Sequence, residues 1–337
     1  MTLRLILAFV IAFFTATAVG KYYIPWLRKI KAGQTIKEIG PSWHMSKQGT
    51  PTMGGVIFIA AVALVCLTVG FKSMLDGDWG HIAVLLFALV FGAIGFLDDW
   101  EKLKKKQNLG LSARAKFLLQ LVAALAFIML LRRMGYCRAH LYIPFWNVTV
   151  DMPEWLYFIF AAFTIVATVN AVNLTDGIDG LAAGTSMPVC LFFVAVTFLW
   201  GKAFLSLGIF ASGLLGGLLG FLVYNFNPAK VFMGDTGSLF LGGSIAALAF
   251  TYDMPLIILP LGLMFVIEAL SDVIQVTYFK LSHGKRVFKM APFHHHLEMG
   301  GWTGKKWSEK QLFTLYSLVT LLMAVVSFIG VYGRFRY

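Results

Sequence analysis

Hydrophobic residues fill most of the chain in long runs, separated by short polar segments rich in Gly, Asn and charged residues. Most runs hold roughly 20 residues, the length that an α-helix needs to cross the hydrocarbon core of a bilayer. Because backbone polar groups in lipid must be paired internally, repeated runs of this length favour helices rather than a barrel. The pattern predicts ten spans, at 3–22, 52–71, 81–98, 117–134, 155–173, 180–200, 204–224, 238–253, 256–279 and 311–333.

Two of these runs are irregular. The eighth, 238–253, is short for a span. The ninth contains Pro255 and Pro260 near its start, and proline removes a backbone donor from a helix. We therefore expect the ninth helix to bend near its beginning.

Composition supports membrane insertion along the whole chain. Hydrophobic residues make up 59% of it and charged residues 13%, against about 25% charged residues in a typical soluble domain. No polar stretch is long enough for a separate soluble domain, and the three cysteines are too widely spaced for a disulfide framework. The expected fold class is an all-α polytopic membrane protein, with residues 1–337 forming a single integral membrane domain.

Basic residues predict the orientation of the spans. If the N-terminus is outside, the inner loops hold 20 of the 28 Lys and Arg residues and the outer segments hold 8. The positive-inside rule then favours ten spans with both termini on the outer side. The net charge of +12 is accounted for by these loops and by contact with anionic lipid, and it does not require nucleic acid as a partner.

With this orientation, five polar segments fall on the same side of the membrane. They are GTPTMGG, LDDWEK, NLTDGIDG, MGDTGS and APFHHHLE. Carboxylates are costly near hydrocarbon, so those that occur there usually line a water-filled cavity with a function. The sequence therefore predicts one active-site cleft on the cytoplasmic face, assembled from several loops, with chemistry suited to a divalent metal and phosphate.

The acidic candidates are Asp98, Asp99 and Asp235. Adjacent carboxylates such as Asp98 and Asp99 can bind Mg²⁺, or one can act as a base while the other holds charge; a solvated helix end is the alternative. Asp235 lies between glycines just before a span, where it can hold Mg²⁺ beside a phosphate or serve as the N-cap of the helix.

The segment NAVNLTDGIDG carries four candidate binding residues. Asn170 and Asn173 share one helix face at the end of an apolar span, and Asp176 and Asp179 follow in a Gly-rich turn. Such side chains can bind sugar hydroxyls or a base edge. A helix-ending turn explains the aspartates but leaves both membrane-embedded asparagines unexplained, so a ligand is favoured.

The last polar loop holds three consecutive histidines, His294, His295 and His296. They cannot all point one way, so contact with a diphosphate or sugar is favoured over a zinc site. In the preceding span Glu268, Asp272 and Gln275 form a polar stripe that either faces the cleft or joins helices.

Together these segments resemble the polyprenyl-phosphate N-acetylhexosamine-1-phosphate transferase family. The motifs GTPTMGG, GFLDDWEK, GLSARAKF, NAVNLTDGIDGLA, NFNPAKVFMGDTGSL and MAPFHHHLE occur in the family's order and run through nearly the whole chain. The HHH run preceded by APF resembles the branch whose donor is a muramoyl-pentapeptide.

The resemblance implies a reaction and a location. Phospho-MurNAc-pentapeptide would pass from its UDP carrier to undecaprenyl phosphate, giving lipid I and UMP, with Mg²⁺ as the required metal. This is the first membrane step of peptidoglycan synthesis, in the bacterial cytoplasmic membrane. A homodimer is compatible with the resemblance, and membrane lipid is the expected surrounding.

The resemblance also assigns roles. Asp98, Asp99 and Asp235 would form the acidic core, with Asp235 as metal ligand and Asp98 as base or nucleophile. The catalytic residues would be these three aspartates together with His294, His295 and His296. Positions that match the family's nucleotide and diphosphate cleft are Lys47, Thr52, Lys116, Asn170, Asn173, Asp176, Asp179, Asn225, Phe232, Gly234 and Gln275.

Two alternatives stay open at this level. A UDP-GlcNAc-1-phosphate transferase would keep the fold and change the sugar, although the APFHHHLE loop argues against it. A transporter of lipid-linked sugars would also use intramembrane carboxylates, but transporters usually place their site near the midplane between internal repeats.

Overall fold

The structure is a computed structural model that describes residues 1–30, 47–105, 107 and 109–334. Most of these residues are helical. In chain order the elements are α1 (Thr2–Lys29), α2 (Val56–Thr68), α3 (Phe71–Leu75), α4 (Gly80–Lys105), α5 (Ala113–Arg133), β1 (His140–Ile143), β2 (Val148–Asp151), α6 (Glu154–Thr175), α7 (Leu181–Trp200), α8 (Leu205–Asn225), α9 (Gly234–Thr251), α10 (Ile258–Leu261), α11 (Leu263–Leu281), α12 (Phe293–Glu298) and α13 (Glu309–Val331).

Each of the ten predicted runs coincides with one helix or with a consecutive helix pair. Within the described residues, seven helices are long and apolar enough to cross a membrane, and an eighth span results if one bent pair counts as a single crossing. A polytopic helical membrane protein is thus confirmed, while the number ten stays a prediction, since α2 has only 13 residues. Four basic residues used for the predicted orientation, Lys31, Lys37, Lys106 and Arg336, lie outside the described residues.

The predicted bend in the ninth run is confirmed. The segment Pro255–Leu261 meets α11 at an angle of 83°. The break falls at Gly262, where an added Cβ would lie 2.7 Å from the carbonyl oxygen of Ile258. The two prolines, Pro255 and Pro260, cannot donate backbone hydrogen bonds, so the first half cannot continue smoothly into α11.

A short β-hairpin, which the sequence analysis did not predict, accompanies the helices. Strands β1 and β2 pair antiparallel, with His140 opposite Asp151 and Ile143 opposite Val148. The turn between them places Phe145 and Asn147 at positive φ, and the Phe145 N–H donates to the carbonyl of Gly330 beyond the middle of α13. Strands of four residues are too short for their alternation to be recognised in a sequence.

Helix burial separates central from peripheral helices. In the apolar window of Lys202–Asn225, which contains α8, 83% of residues are buried, against 28% in α1, α5 and α13. Every residue of α9 from Thr236 to Thr251 is buried. We infer that α8 and α9 form the centre of the bundle and that α1, α5 and α13 present apolar side chains to lipid.

Glycines allow α9 to lie very close to its neighbours. A Cβ at Gly95 on α4 would lie 2.0 Å from the carbonyl oxygen of Asp235, and a Cβ at Gly242 on α9 would lie 2.7 Å from the Cα of Val169 on α6. Small residues let helix backbones approach within membranes. This packing brings the C-terminal ends of α4 and α6 to the N-terminal end of α9.

Candidate active site

Three carboxylates meet where α4 ends and α9 begins. Oxygen atoms of Asp98, Asp99 and Asp235 all lie within 4.8 Å of one another. Asp98 and Asp99 are almost completely buried, with 4% and 3% of their surface exposed. The sequence prediction that these residues form one acidic centre agrees with this arrangement.

Asp99 has its carboxylate directed at the start of α9. It accepts hydrogen bonds from the N–H of Asp235 at 3.2 Å, from the N–H of Thr236 at 2.9 Å and from the Thr236 hydroxyl at 2.7 Å. These are the donors that a helix N-terminus leaves unpaired. Asp99 therefore caps the helix that carries Asp235.

Two lysines neutralise the acidic centre. The Lys102 ammonium lies 2.6 Å from Asp98 and 3.1 Å from Asp235, and the Lys116 ammonium lies 2.8 Å from the same Asp235 oxygen. Three buried carboxylates at this spacing require positive charge close by. Carboxylate oxygens in such a group are the ligands that Mg²⁺ prefers, so the donor set fits a divalent cation.

The two predicted asparagines differ in what they contact. Asn173 donates to the second Asp235 oxygen at 2.9 Å and to Ser238 at 2.8 Å, so it belongs to the acidic centre. Asn170 instead donates to the side chain of Gln120 on α5 at 2.7 Å. Its amide therefore joins α6 to α5, one turn away from the carboxylates.

A second polar cluster surrounds Asp179, which is 1% exposed. Its carboxylate accepts from the Lys47 ammonium at 2.7 Å, from the Asn227 amide at 3.1 Å and from the Ala229 N–H at 2.9 Å. Glu309 at the start of α13 accepts from Lys47 at 2.6 Å and from the Asp179 N–H at 3.1 Å. Four separate parts of the chain are held together here.

Asp176 lies between the two clusters. Burial, followed by the charges of Asp235, Asp99 and Asp179, raises the pKa of the Asp176 carboxyl well above its usual range. Its side chain is partly exposed and has no hydrogen-bond partner among the residues that the structure describes. A carboxylate left unpaired in a polar cleft is available to a ligand.

The loop before α9 forms one wall of the predicted cleft. Its backbone pairs with the GTPTMGG segment: the Phe232 N–H donates to the carbonyl of Pro51, and the Gly54 N–H donates to the carbonyl of Phe232. Asn225 fixes the loop by donating to the Val231 carbonyl and accepting from the Gly180 N–H. The Phe232 side chain stays partly exposed, as a stacking surface requires.

The remaining predicted residues of this wall are Thr52 and Gly234. Gly234 has φ +73°, and a Cβ there would lie 2.7 Å from the Asp99 carboxylate and 2.8 Å from the Thr52 hydroxyl. Only glycine fits this position without strain. Thr52 is nearly buried beside the acidic centre.

The three histidines have different surroundings. His294 on α12 is fully buried and contacts Glu268 through Nδ1 at 2.9 Å. His295 contacts Glu298 at 2.7 Å. His296 accepts from the Lys289 N–H and packs against aromatic rings, and burial lowers the pKa of its imidazole. The prediction that the three cannot point one way agrees with this geometry.

Gln275 does not reach the acidic centre. Its side-chain oxygen accepts from the N–H groups of Val287 and Phe288, at 3.2 Å and 2.9 Å, and so anchors the loop that leads to α12. The polar stripe on α11 is expected either to face the cleft or to join helices. Gln275 and Glu268 both join α11 to the chain that follows it.

Sequence reasoning missed two residues of these clusters. Lys102 follows Asp98 by four positions, a spacing that places both on one helix face, but the lysines after Asp99 are equally typical of a solvated helix end. Glu309 gave no local signal, because its partners Lys47 and Asp179 are distant along the chain.

Comparisons with known proteins identify the family of the chain. The sequence profile of glycosyl transferase family 4 matches residues 81–253, and signature 1 of phospho-N-acetylmuramoyl-pentapeptide-transferase matches residues 47–59. The phospho-N-acetylmuramoyl-pentapeptide-transferase of Caldanaerobacter subterraneus subsp. tengcongensis is 44% identical over 327 residues, which cover 96% of this chain and 98% of the relative. The enzymes of that name from Clostridium botulinum and Listeria monocytogenes are 45% and 42% identical over 325 residues, covering 96% of this chain and 95% and 97% of theirs.

The bundle of apolar helices is that of a polytopic membrane protein, and the relatives that the chain matches are named as transferases. With relatives of more than 40% identity along almost its whole length, the chain belongs to glycosyl transferase family 4 and, within it, to the phospho-N-acetylmuramoyl-pentapeptide-transferase family.

Proposed function

We propose that this protein transfers phospho-MurNAc-pentapeptide from UDP-MurNAc-pentapeptide to undecaprenyl phosphate, giving lipid I and UMP. The observation that carries the proposal is the meeting of Asp98, Asp99 and Asp235 with Lys102 and Lys116 at the ends of apolar helices. Phosphoryl transfer depends mainly on positioning and on neutralising charge, and this cluster is built for both.

Mg²⁺ is the proposed cofactor. Asp235 and Asp98 would hold it, because their partners include lysine side chains that can move aside for a cation, whereas Asp99 is held by the backbone of α9. The ion would supply charge stabilisation at the diphosphate. Asn173 and Lys116 fix the Asp235 carboxylate for this role, through contacts of 2.9 Å and 2.8 Å.

The chain's other residues would bind the donor. The cluster of Lys47 and Asp179 lies at one end of the cleft, with the partly exposed ring of Phe232 in its wall, and these groups suit a nucleotide base and ribose. Asp176 lies between that cluster and the acidic centre, where it can contact the sugar or diphosphate. The histidine loop closes the same turn from the other side, because His294 lies against Gly177.

For the chemical step we propose direct attack. An oxygen of the lipid phosphate bonds to the β-phosphorus of the donor, and the bond from that phosphorus to the oxygen of UMP breaks. Asp98 would take the proton if the lipid phosphate arrives protonated. A phosphate oxyanion needs little further activation, so a covalent aspartyl intermediate is not required. A radiolabelled phospho-sugar trapped on the protein without lipid acceptor would contradict this step.

The orientation is also part of the proposal. Both termini and the β-hairpin would lie outside the bacterial cytoplasmic membrane, and the cleft would face the cytoplasm, as the distribution of basic residues favours. All three native cysteines are buried, so an added cysteine reports its own accessibility. In intact spheroplasts an impermeant maleimide should label Thr149→Cys in the hairpin and leave Lys305→Cys unlabelled. A homodimer, which the resemblance allows, is tested by the mass of the protein in detergent.

Release of UMP by the purified protein tests the reaction itself. The assay contains UDP-MurNAc-pentapeptide, undecaprenyl phosphate and Mg²⁺, with UDP-GlcNAc as the competing donor. The proposal expects turnover that needs lipid and Mg²⁺, prefers the muramoyl donor, and is lost in Asp98→Asn and Asp235→Asn. The exposed variant Glu154→Gln, at the far end of the bundle, is the control for protein handling. Turnover with UDP-GlcNAc alone would assign the other donor branch, and no turnover with folded protein would reject the transferase reaction.

A further inference from the structure

A buried triad of side chains joins α11, α12 and α13 beside the cleft. Glu268, His294 and Tyr316 are each completely or almost completely buried. The Glu268 carboxylate lies 2.9 Å from His294 Nδ1 and also accepts from the His294 backbone N–H at 3.2 Å. The Tyr316 hydroxyl donates to the same carboxylate.

This geometry indicates which nitrogen of His294 carries a proton. The Glu268 carboxylate already accepts from the Tyr316 hydroxyl and the His294 backbone N–H, so we assign His294 Nδ1 as its third donor. Nε2 is then the nitrogen left to contact something else. It is buried and has no hydrogen-bond partner among the described residues. A histidine with a purely structural role would normally have both nitrogens paired.

Nε2 faces the turn that carries the candidate binding residues. A Cβ at Gly177 would lie 2.2 Å from it, so the imidazole edge lies directly on the backbone beside Asp176. Each of the other two histidines shares only part of this arrangement: His296 also has a buried Nε2 without a partner among the described residues, but its Nδ1 accepts from the Lys289 N–H. His295 contacts a carboxylate through Nδ1, but that carboxylate, Glu298, lies on its own short helix.

We propose that Glu268, supported by Tyr316, is a positioning residue for His294. It holds the imidazole with Nδ1 protonated, so that Nε2 is presented to the diphosphate or sugar of the donor at the Asp176 turn. The same arrangement, in which a buried carboxylate orients a histidine through Nδ1, is used by other enzymes to set the tautomer of a reacting imidazole. This inference rests on the proposed transferase function.

The decisive variant is Glu268→Gln, which keeps the shape of the side chain but gives it an N–H₂ group. That group can donate to Nδ1 and so favours the opposite tautomer, with the proton on Nε2. Nitrogen NMR of the protein labelled with [¹⁵N]histidine, recorded at a pH above the usual titration range of histidine, reports the tautomer. The His294 signal is assigned by its loss in His294→Gln.

The proposal expects wild-type His294 to be protonated at Nδ1 and Glu268→Gln to move that proton to Nε2. It also expects kcat to fall at least tenfold in Glu268→Gln while the KM for the UDP donor stays within about twofold. Tyr316→Phe should lower kcat less, and Glu268→Asp should restore the Nδ1 tautomer and part of the rate. Glu154→Gln, an exposed substitution of the same type, should leave every readout unchanged.

A purely structural role would give a different result. Glu268→Gln would then lower the melting temperature and the amount of active protein, with the tautomer unchanged or with kcat per folded molecule unchanged. Either outcome overturns the proposal. The NMR measurement needs no turnover, so it tests the Glu268 contact even if the assigned reaction is wrong, whereas absent wild-type turnover would count against the proposed function alone.

Discussion

The carboxylate of Asp99 accepts hydrogen bonds from both the backbone N–H and the hydroxyl of Thr236, at 2.9 Å and 2.7 Å. Its neighbour Asp98 instead accepts from the Leu111 N–H and contacts Lys102. The two adjacent aspartates thus differ in their contacts: Asp99 caps the helix that carries Asp235, and Asp98 is paired with the Lys102 ammonium. We propose that Asp99 has a structural role and that Asp98 takes part in the reaction.

The first prediction separates these roles. Asp99→Asn should lower the free energy of unfolding by about 1–3 kcal/mol, because one amide end cannot accept from the donors at the start of α9. Asp98→Asn should leave stability near that of the wild type and abolish turnover. Thermal unfolding and UMP release on the same samples check both. Equal stability of the two variants would contradict the capping role of Asp99.

The second prediction concerns Lys102, whose ammonium lies among the three carboxylates. The ammonium neutralises carboxylate charge that would otherwise attract a metal ion. Lys102→Gln should therefore increase the apparent Mg²⁺ affinity of the substrate-free protein by about tenfold. The measurement is the shift of Tm with Mg²⁺ concentration. Lys105→Gln is the matched control, since Lys105 pairs with Glu101 on the exposed side of the same helix. Identical Mg²⁺ shifts in Lys102→Gln and wild type would exclude competition between ammonium and metal.

The third prediction concerns Glu309. Its carboxylate holds Lys47, Asn227 and the backbone of Asp179 in one cluster. Glu309→Gln removes the charge and places a donor against other donors, so the KM for the UDP donor should rise about tenfold while kcat changes little. Initial rates over a range of donor concentrations test this, with the exposed variant Glu154→Gln as control. A fall in kcat at unchanged KM would place Glu309 in a different role.

The sequence anticipated the helices and the common location of the polar motifs, because apolar length and Gly-rich breaks are local properties. It did not anticipate the partners of individual side chains. Asn170 and Asn173 share a helix face, yet one turn of axial distance directs the first to Gln120 and the second to Asp235. Gln275, on the polar stripe of α11, binds backbone groups of its own following loop. Such choices depend on contacts between distant residues, which periodicity cannot specify.

The fourth prediction uses pH. Burial and neighbouring carboxylates raise the pKa of Asp176, so the folded protein binds this proton more tightly than the unfolded chain does. The stability of the wild type should therefore fall as pH rises from the ordinary Asp pKa, near about 4, through the raised value. Asp176→Asn removes this effect. It should be more stable than the wild type at pH 8, with the difference vanishing at pH values below the ordinary Asp pKa.

Although Asp176→Asn should raise stability at pH 8, it should lower turnover, since Asp176 is proposed to contact the donor. The variant Asp179→Asn is a useful comparison, because Asp179 is paired with Lys47 and should lose stability instead. Melting curves recorded between pH 4 and pH 8, in detergent and without substrate, compare the stability of Asp176→Asn with that of Asp179→Asn. An Asp176→Asn protein that is less stable than the wild type at pH 8 would show that the carboxylate has a structural partner.

The last prediction concerns the contact between α4 and α9. A Cβ at Gly95 would lie 2.0 Å from the carbonyl oxygen of Asp235, whereas a Cβ at Gly92, one turn earlier, would lie 3.3 Å from the Phe240 side chain. Gly95→Ala should therefore push the helices apart where the carboxylates meet, costing about 1–3 kcal/mol and most of the activity. Gly92→Ala needs only a small shift of a side chain and should retain both. Because the two substitutions add the same methyl group to the same helix, helix propensity affects them alike. Equal activity of the two variants would contradict this prediction, because it would mean that turnover does not depend on the close approach of α4 and α9 at Gly95.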